Sequence, residues 1–123
     1  MKDGRLYINA EIVPREPLAA VQTTDLYGKL RAAPSCRETL PDGRAYTIIK
    51  IEGDTGFLSN RPVFDVPADQ YFVLGDNRDN SAGSRIPSQQ GGVGYVPLNN
   101  FVGRVEFVFF STSHPERMFQ SIR

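Results

Sequence analysis

The stretch GDNRDNSAGSR, residues 75–85, is the segment on which the fold and the function of this chain depend most. It holds two each of Asp, Asn, Arg and Ser, and it follows directly on the apolar run YFVL at 71–74. Gly, Asp, Asn and Ser are the usual turn formers, so composition alone favours a polar turn after a strand. The alternative is one wall of an active site. In that case Asp76 forms an ion pair with Arg78 or Arg85, and this pair rigidifies the loop. The rigid loop then directs one serine hydroxyl, of Ser81 or Ser84, at a reacting group.

A calcium-binding loop is the third interpretation of the same stretch. Such a loop needs an oxygen ligand at the third position of DNRDNS, where the chain has Arg78, and a Glu at a fixed distance that is missing here. The sequence therefore predicts no calcium site. One cysteine (Cys36) and one histidine (His114, assigned to a solvated tail) cannot assemble a metal cluster either. We expect neither a metal nor a cofactor.

The rest of the chain is broken into short pieces by nine Pro and eleven Gly, and it shows no long helical stripe. This pattern predicts one mostly β domain with long loops. Residues 14–41 are mixed, with a weak strand or a short helix at 18–30. Strands are predicted at 5–13, 44–52, 70–76 and 103–111, and turns at 3–4, 41–43, 53–56 and 67–69.

Charge and hydropathy exclude several classes of function. Lys plus Arg and Asp plus Glu balance at 14 each, and the basic residues are scattered, so we expect no nucleic-acid partner. No apolar run approaches the ~18 residues that span a bilayer, and the N-terminus has no apolar signal core. The chain as given is expected to be soluble and not secreted by a signal of its own.

The local sequence supplies no activated nucleophile. A catalytic serine needs a base within hydrogen-bond reach, and no histidine lies near Ser81 or Ser84 in the sequence. The spacing leaves open a Ser–Lys pair with Lys2, Lys29 or Lys50.

The polar stretch, followed by GYVP (94–97) and FVGRVEFVFFS (101–111), resembles the C-terminal conserved box of bacterial type I signal peptidases. That box reads GDNR-x-x-S-x-D-S-R, then Gly-x-Val-Pro, then an apolar VGR strand. KDGRLYIN (2–9) resembles the segment after the family's catalytic-lysine box. The resemblance implies a signal-peptidase/LexA-like β fold, incomplete because upstream strands are absent. Residues 1–123 would form the C-terminal part of the periplasmic catalytic region, with a variable insertion at about 14–66 and the conserved box at 70–111.

The resemblance also implies a function. The family comprises membrane-anchored serine endopeptidases that remove signal peptides from exported preproteins by a Ser–Lys dyad, without a cofactor. The expected location is the bacterial inner membrane, reached through an upstream anchor, with the catalytic region on the periplasmic side. The family's nucleophile and base lie in boxes that this sequence lacks. We therefore expect no catalytic residue in this chain, and no activity from it alone.

Residue by residue, the resemblance assigns supporting roles. Ser81 matches the serine whose hydroxyl orients the dyad lysine. The polar network that holds the site is matched by Asp76, Arg78, Ser84 and Arg85, and the turn by Gly75 and Asn77. Gly83 stands where the family has Asp, the usual partner of the last arginine. Either Asp76 takes over that partnership with Arg85, or the loop is looser than in the family.

Two further features lie outside the loop. IPSQQGG at 86–92 lengthens the link to the Gly-x-Val-Pro element and is predicted to be a surface insertion. In the strand at 103–111, at least one apolar face is predicted to pack in the core, while Phe107 and Phe109 are candidates to face the membrane.

Two other functions remain open: a non-catalytic β domain that binds peptides or a partner at a sheet edge, and a maturation peptidase for conjugation pili.

Overall fold

The computed structural model describes residues 1–24, 27–112 and 115–122. Its regular elements are strands and single-turn 3-10 helices, which confirms the mostly β prediction. His114 lies outside the described residues. The strands are β1 (Tyr7–Ile8), β2 (Glu11–Ile12), β3 (Arg15–Thr24), β4 (Leu30–Thr39), β5 (Ala45–Ile49), β6 (Gln70–Tyr71) and β7 (Val96–Pro97). The 3-10 helices are Gly83–Arg85, Ser88–Gln90, Leu98–Asn100 and Pro115–Arg117.

The main sheet is antiparallel, in the order β3-β4-β5. Its first two strands form a long hairpin across the stretch for which we predicted an irregular excursion with a weak strand or helix, so that prediction is wrong. The strands escaped detection because most of β3 is exposed on both faces and therefore lacks an apolar alternation. A register shift between Leu18 and Val21 lies across from Pro34, which has no N–H to donate to the ladder. The strand predicted at 44–52 is confirmed as β5.

The N-terminal segment 5–13 forms a tight hairpin, β1 with β2, where we predicted one continuous strand. The chain reverses at Asn9 and Ala10, with φ of 51° and 66°. Two successive positive φ values fit a type I′ turn, in which Asn is common and Ala is not, so only one of the two turn residues is typical of a hairpin. The turn predicted at 3–4 is confirmed. There the N–H of Gly4 donates to the carbonyl of Ser59 (3.0 Å), which ties this end of the chain to the middle.

The centre of the domain is polar as much as apolar. The fully buried apolar side chains are few: Val13, Ala33, Ile48 and, nearly buried, Leu58. Beside them are buried side chains that carry charge or a hydroxyl: Ser35, Glu38, Lys50, Ser59, Arg78, Ser84 and Arg85. Because a buried polar group costs free energy unless it is paired, this centre constrains geometry closely.

The C-terminal segment contradicts its prediction. Residues 103–111 form no regular strand, and their one described β-bridge joins Phe107 to Ser121. Phe107, Phe109 and Phe110 are 51–72% exposed, so the predicted core packing is wrong. No other strand lies alongside this segment in the described part of the chain, and its backbone bonds with residues near 120, as in Val108 N–H to Gln120 O (3.0 Å). Phe109 meets Phe119 edge-on, with ring centroids 6.1 Å apart.

The apolar run before the polar stretch is paired only at its start. β6 covers Gln70–Tyr71 and pairs with β7 of the GYVP element, so the strand predicted at 70–76 is confirmed at its first two residues. The insertion at 86–92 folds back on itself, because the N–H of Gly92 donates to Pro87 O (3.1 Å) and that of Gly94 to Ile86 O (3.2 Å). Among the described residues, no helix has the length and apolar character needed to cross a lipid bilayer.

Candidate functional site

The polar loop, residues 75–85, is attached to the main sheet at β5. The N–H of Ile49 donates to Asp76 O (2.8 Å), and the N–H of Arg78 donates to Ile49 O (2.9 Å). These two bonds form a parallel bridge between Ile49 and Asn77. The first residues of the loop therefore continue the sheet beyond its edge strand, which gives them a fixed position.

Arg78 is the first anchor of the loop, and its partner is Glu38 on β4. Both side chains are buried, at 1% and 0% exposed. The guanidinium binds the carboxylate in a bidentate manner: Nη1 lies 3.2 Å from Oε1, and Nη2 contacts Oε2. The hydroxyl of Tyr46 donates to the same carboxylate (3.0 Å) and accepts from Arg78 Nη2 (3.3 Å). Burial, together with the charge of Glu38, raises the pKa of Tyr46 to about 12.

The predicted pair between Asp76 and an arginine is wrong. Asp76 is exposed, and its carboxylate accepts the N–H of the next residue, Asn77 (2.8 Å). Within the described residues it makes no ion pair with Arg78 or Arg85. Asp76 contributes to the loop through its backbone carbonyl and this local bond. The charge that Arg78 needs comes from a strand 40 residues earlier in the sequence.

Arg85 is the second anchor, and it binds backbone carbonyls where we predicted a carboxylate. Its guanidinium donates to the carbonyls of Arg78, Ser81 and Leu58. The side chain is fully buried, and burial lowers its pKa to about 10, so the group remains protonated at neutral pH. Asp76 does not take over as its partner. Nor is the loop left loose, since one cation ties two of the loop's own carbonyls to the carbonyl of Leu58.

The backbone conformation and the lack of space at position 83 explain why the loop has glycine where the conserved box has aspartate. Its φ is +51°, a conformation that disfavours side chains. A Cβ on Gly83 would lie 2.6 Å from the carbonyl oxygen of Val73. The next residue, Ser84, binds the same segment: its N–H donates to Val73 O, and its Oγ accepts from Val73 N–H, both at 2.8 Å. In this backbone conformation an aspartate at position 83 does not fit.

We therefore expect Gly83→Asp to destabilise the chain, although it restores the acid typical of the conserved box. The matched control is Gly91→Asp, because Gly91 has φ +82° and open space where a Cβ would be. Both variants incur the backbone strain of about 1–2 kcal/mol, and Gly83→Asp should lose at least about 1 kcal/mol more through the collision. Urea unfolding of the two variants measures the difference. Equal losses, or a stabilised Gly83→Asp chain, would contradict this explanation.

Ser81 lies between the two anchors with its backbone fixed and its hydroxyl uncommitted. Its carbonyl accepts from Arg85. Its side chain packs against Gly75, where any Cβ would collide with the Cβ and Oγ of Ser81. Ser81 Oγ makes no hydrogen bond to another described residue. Asn77 shapes the turn before it, since its Oδ1 and its carbonyl both lie within bonding distance of the Asn80 N–H (3.3 and 3.2 Å).

Three residues of the site were not predicted from the sequence: Glu38, Tyr46 and Lys50. Glu38 and Tyr46 lie in strands where charged and polar neighbours suggest a solvent-facing position, so nothing in the pattern marks them as buried. Lys50 follows β5 and was considered only as a possible partner of a serine. Its ammonium instead faces two carboxylates, those of Asp79 (3.6 Å) and Asp54 (3.7 Å). No cluster of three or more metal-ligating side chains occurs in the ranges that the structure describes.

Comparison with known proteins identifies relatives that match most of the chain. Residues 1–110 match the family model described as signal peptidase, peptidase S26. The proteins named signal peptidase I of Rickettsia typhi and Rickettsia bellii are 38% and 41% identical to the chain in alignments of 115 residues that cover 89% of the chain. Those residues make up 40% and 37% of the two relatives, so the chain spans about two fifths of the length of the curated relatives it matches. No solved structure matches the chain.

Proposed function

The chain belongs to the signal peptidase family, peptidase S26, and from that premise we propose that it forms part of a serine endopeptidase that removes signal peptides from exported preproteins. The proposal concerns the whole enzyme, of which the chain resembles the C-terminal catalytic region. The dyad of a nucleophilic serine and a basic lysine belongs to parts of the family's sequence that have no counterpart in these residues. The chain on its own is proposed to be inactive.

The observation that carries this proposal is the geometry around Ser81. The loop is fixed to the sheet on one side by Arg78 and closed on itself by Arg85, while the hydroxyl between them has no partner among the described residues. A lysine works as a base near neutral pH only if its environment favours the neutral form and its nitrogen points correctly. We propose that Ser81 Oγ hydrogen-bonds and orients that lysine.

The remaining residues of the loop serve as its frame in this proposal. Arg78 and Arg85 hold it through Glu38 and through backbone carbonyls. Ser84 ties it to the segment before it at Val73, Gly75 gives Ser81 room, and Asn77 and Asp76 form the turn. None of these is proposed to touch substrate. Their common contribution is to keep the hydroxyl in one place, because a misplaced catalytic group loses rate steeply with distance.

The location and the organisation of the domain are part of the same proposal. We place the complete enzyme at the bacterial inner membrane, with its catalytic region on the periplasmic side. Phe107 and Phe109 are proposed to face the membrane surface, which their exposure of 51% and 72% supports. The variable insertion at about 14–66 would include the β3–β4 hairpin, and the conserved box at 70–111 would include the polar loop.

A chimera tests the function. The chain replaces its matching region in the Rickettsia typhi signal peptidase I, and the product is incubated with a purified preprotein that carries a signal peptide. We expect correct cleavage by the chimera and none by the 123-residue chain alone. Processing is read from gel mobility and from the N-terminal sequence of the product.

Three other outcomes of this cleavage experiment would contradict the proposal. A chimera that melts like its parent but leaves every preprotein uncut would contradict the proposal and favour the peptide-binding β domain. Cleavage by the isolated chain would overturn the assignment of the nucleophile and base to the rest of the enzyme. Processing of pilin precursors alone would favour the maturation peptidase.

A further inference from the structure

Two buried ion pairs hold the polar loop. In the first the loop supplies the cation, Arg78, and in the second it supplies the anion, Asp79. The frame of the loop described above includes the first pair alone. Arg78 and Asp79 are consecutive, and each meets an opposite charge: Glu38 on β4 for the cation, and Lys50, directly after β5, for the anion. The side chains of Lys50 and Asp79 are 3% and 4% exposed. Sequence resemblance assigns no role to Lys50, which lies outside the conserved box.

The second pair is incompletely bonded, which makes it sensitive to geometry. Lys50 Nζ and Asp79 Oδ1 are both buried and have no hydrogen-bond partner among the described residues, and they face each other at 3.6 Å. The other oxygen of Asp79 accepts the N–H of Glu52 (2.8 Å). Attraction between two buried charges is strong, but each buried charge left without its partner is costly.

Asp79 is the effective partner of Lys50, although Asp54 is almost as near. The carboxylate of Asp54 already binds Arg15 in a bidentate manner, at 2.9 and 2.6 Å, and this hydrogen bonding holds the pKa of Asp54 below its usual range. Asp54 is also 43% exposed, so solvent screens its attraction to Lys50.

We propose that Lys50 is a positioning residue for the proposed peptidase reaction and that it acts on the Ser81 hydroxyl through Asp79. The inference rests on the proposed function. Asp79 is two residues before Ser81, and Arg85 binds the carbonyls that flank this interval, those of Arg78 and Ser81. Gly75 closes the other side of Ser81 without free space. Because the backbone is fixed on both sides of this interval, a shift of Asp79 is expected to displace Ser81.

A double-mutant cycle in the chimera separates positioning from simple stabilisation. The variants are Lys50→Met, Asp79→Asn and the two together. Each single variant leaves one buried charge unpaired, so we expect both stability and turnover to fall. In the double variant no charge is left unpaired, so the stability should largely return. We expect kcat to stay about tenfold or more below that of the unmodified chimera, with KM within about twofold, because the loop is no longer aligned.

The control is Asp54→Asn, which breaks the pair with Arg15 and leaves the Lys50–Asp79 pair in place. Its kcat should stay within about twofold of the unmodified chimera. A double variant that regains both stability and full kcat would overturn the inference, since Lys50 would then only stabilise the fold.

Amide hydrogen exchange in the 123-residue chain decides the inference independently of activity. The N–H of Glu52 donates to Asp79 Oδ2 (2.8 Å). In the double variant, with its stability restored, residue 79 is no longer held by Lys50, so this proton should exchange about tenfold faster or more while amides of β4 stay unchanged. Unchanged exchange at Glu52 would overturn the inference. An inactive unmodified chimera together with faster exchange would instead locate the failure in the proposed function.

Discussion

Replacement of Glu38 by leucine is expected to destabilise the 123-residue chain by about 3–5 kcal/mol, the loss typical of a buried ion pair deprived of one partner. The guanidinium of Arg78 would remain at 1% exposure with no carboxylate to meet it. The hydroxyl of Tyr46 would lose its acceptor as well. Because a domain of this size is stabilised by only about 5–15 kcal/mol, such a loss removes a large part of the total. Urea unfolding followed by circular dichroism measures it.

The reciprocal variant and the double variant show whether the loss comes from the pair. Arg78→Met should cost a similar amount, because it leaves Glu38 charged, buried and short of a partner. The combination of Glu38→Leu with Arg78→Met removes both charges and fills the space with apolar atoms, so most of the stability should return. If the single variants do not fold, recovery of a folded double variant gives the same answer.

An exposed pair provides the matched control. Arg44 and Asp42 form an ion pair at 2.6 Å, but their side chains are 78% and 48% exposed. Asp42→Asn should therefore leave the urea midpoint unchanged within error, because exposed pairs contribute little to stability. A loss in Glu38→Leu no larger than that in Asp42→Asn would contradict the central place of the buried pair.

The sequence predicted the elements that local chemistry determines. Asp-Gly pairs mark the turns at 3–4 and 41–43 through their backbone preferences, and the β-branched run before Lys50 predicts β5. The polar loop was recognisable for the same reason, since its residue types and spacing are unusual. What the loop does with Ser81 depends on contacts with distant residues, which local pattern does not record.

The partners of Arg78 and Arg85 could not be predicted from the sequence. Asp76 is two residues from Arg78 and was the natural candidate, yet the pair forms with Glu38, 40 residues away. Arg85 needs no acid because backbone carbonyls surround it. Which carboxylate reaches a buried cation is decided by strand pairing, here by the register of β4 with β5, and no local pattern encodes that register.

The missed hairpin and the wrongly predicted last strand have a common cause. Apolar alternation reveals a strand only when one face is buried. Most of β3 is exposed, so its ten residues are held by ladder hydrogen bonds that the composition does not reveal. Conversely, residues 103–111 alternate well, but a strand needs a neighbour, and the described part of the chain offers only the short segment near residue 120.

The second large effect concerns Ser81. Ser81→Ala in the chimera is expected to lower turnover by about 100-fold, because the lysine that depends on its hydroxyl would lose its orientation. The melting temperature should be almost unchanged, since Ser81 Oγ makes no hydrogen bond to another described residue. The backbone carbonyl that Arg85 binds is the same in serine and alanine. The matched control is Ser88→Ala, an exposed serine of the insertion, which should change neither quantity.

The role of Ser81 is tested most simply by the single-turnover cleavage rate of the Ser81→Ala chimera, taken beside its unfolding curve. We expect an enzyme that is folded like the unmodified chimera and about 100-fold slower. A Ser81→Ala chimera with an equal rate and equal stability would contradict this role, because the polar loop would then be a turn that the chemistry does not use.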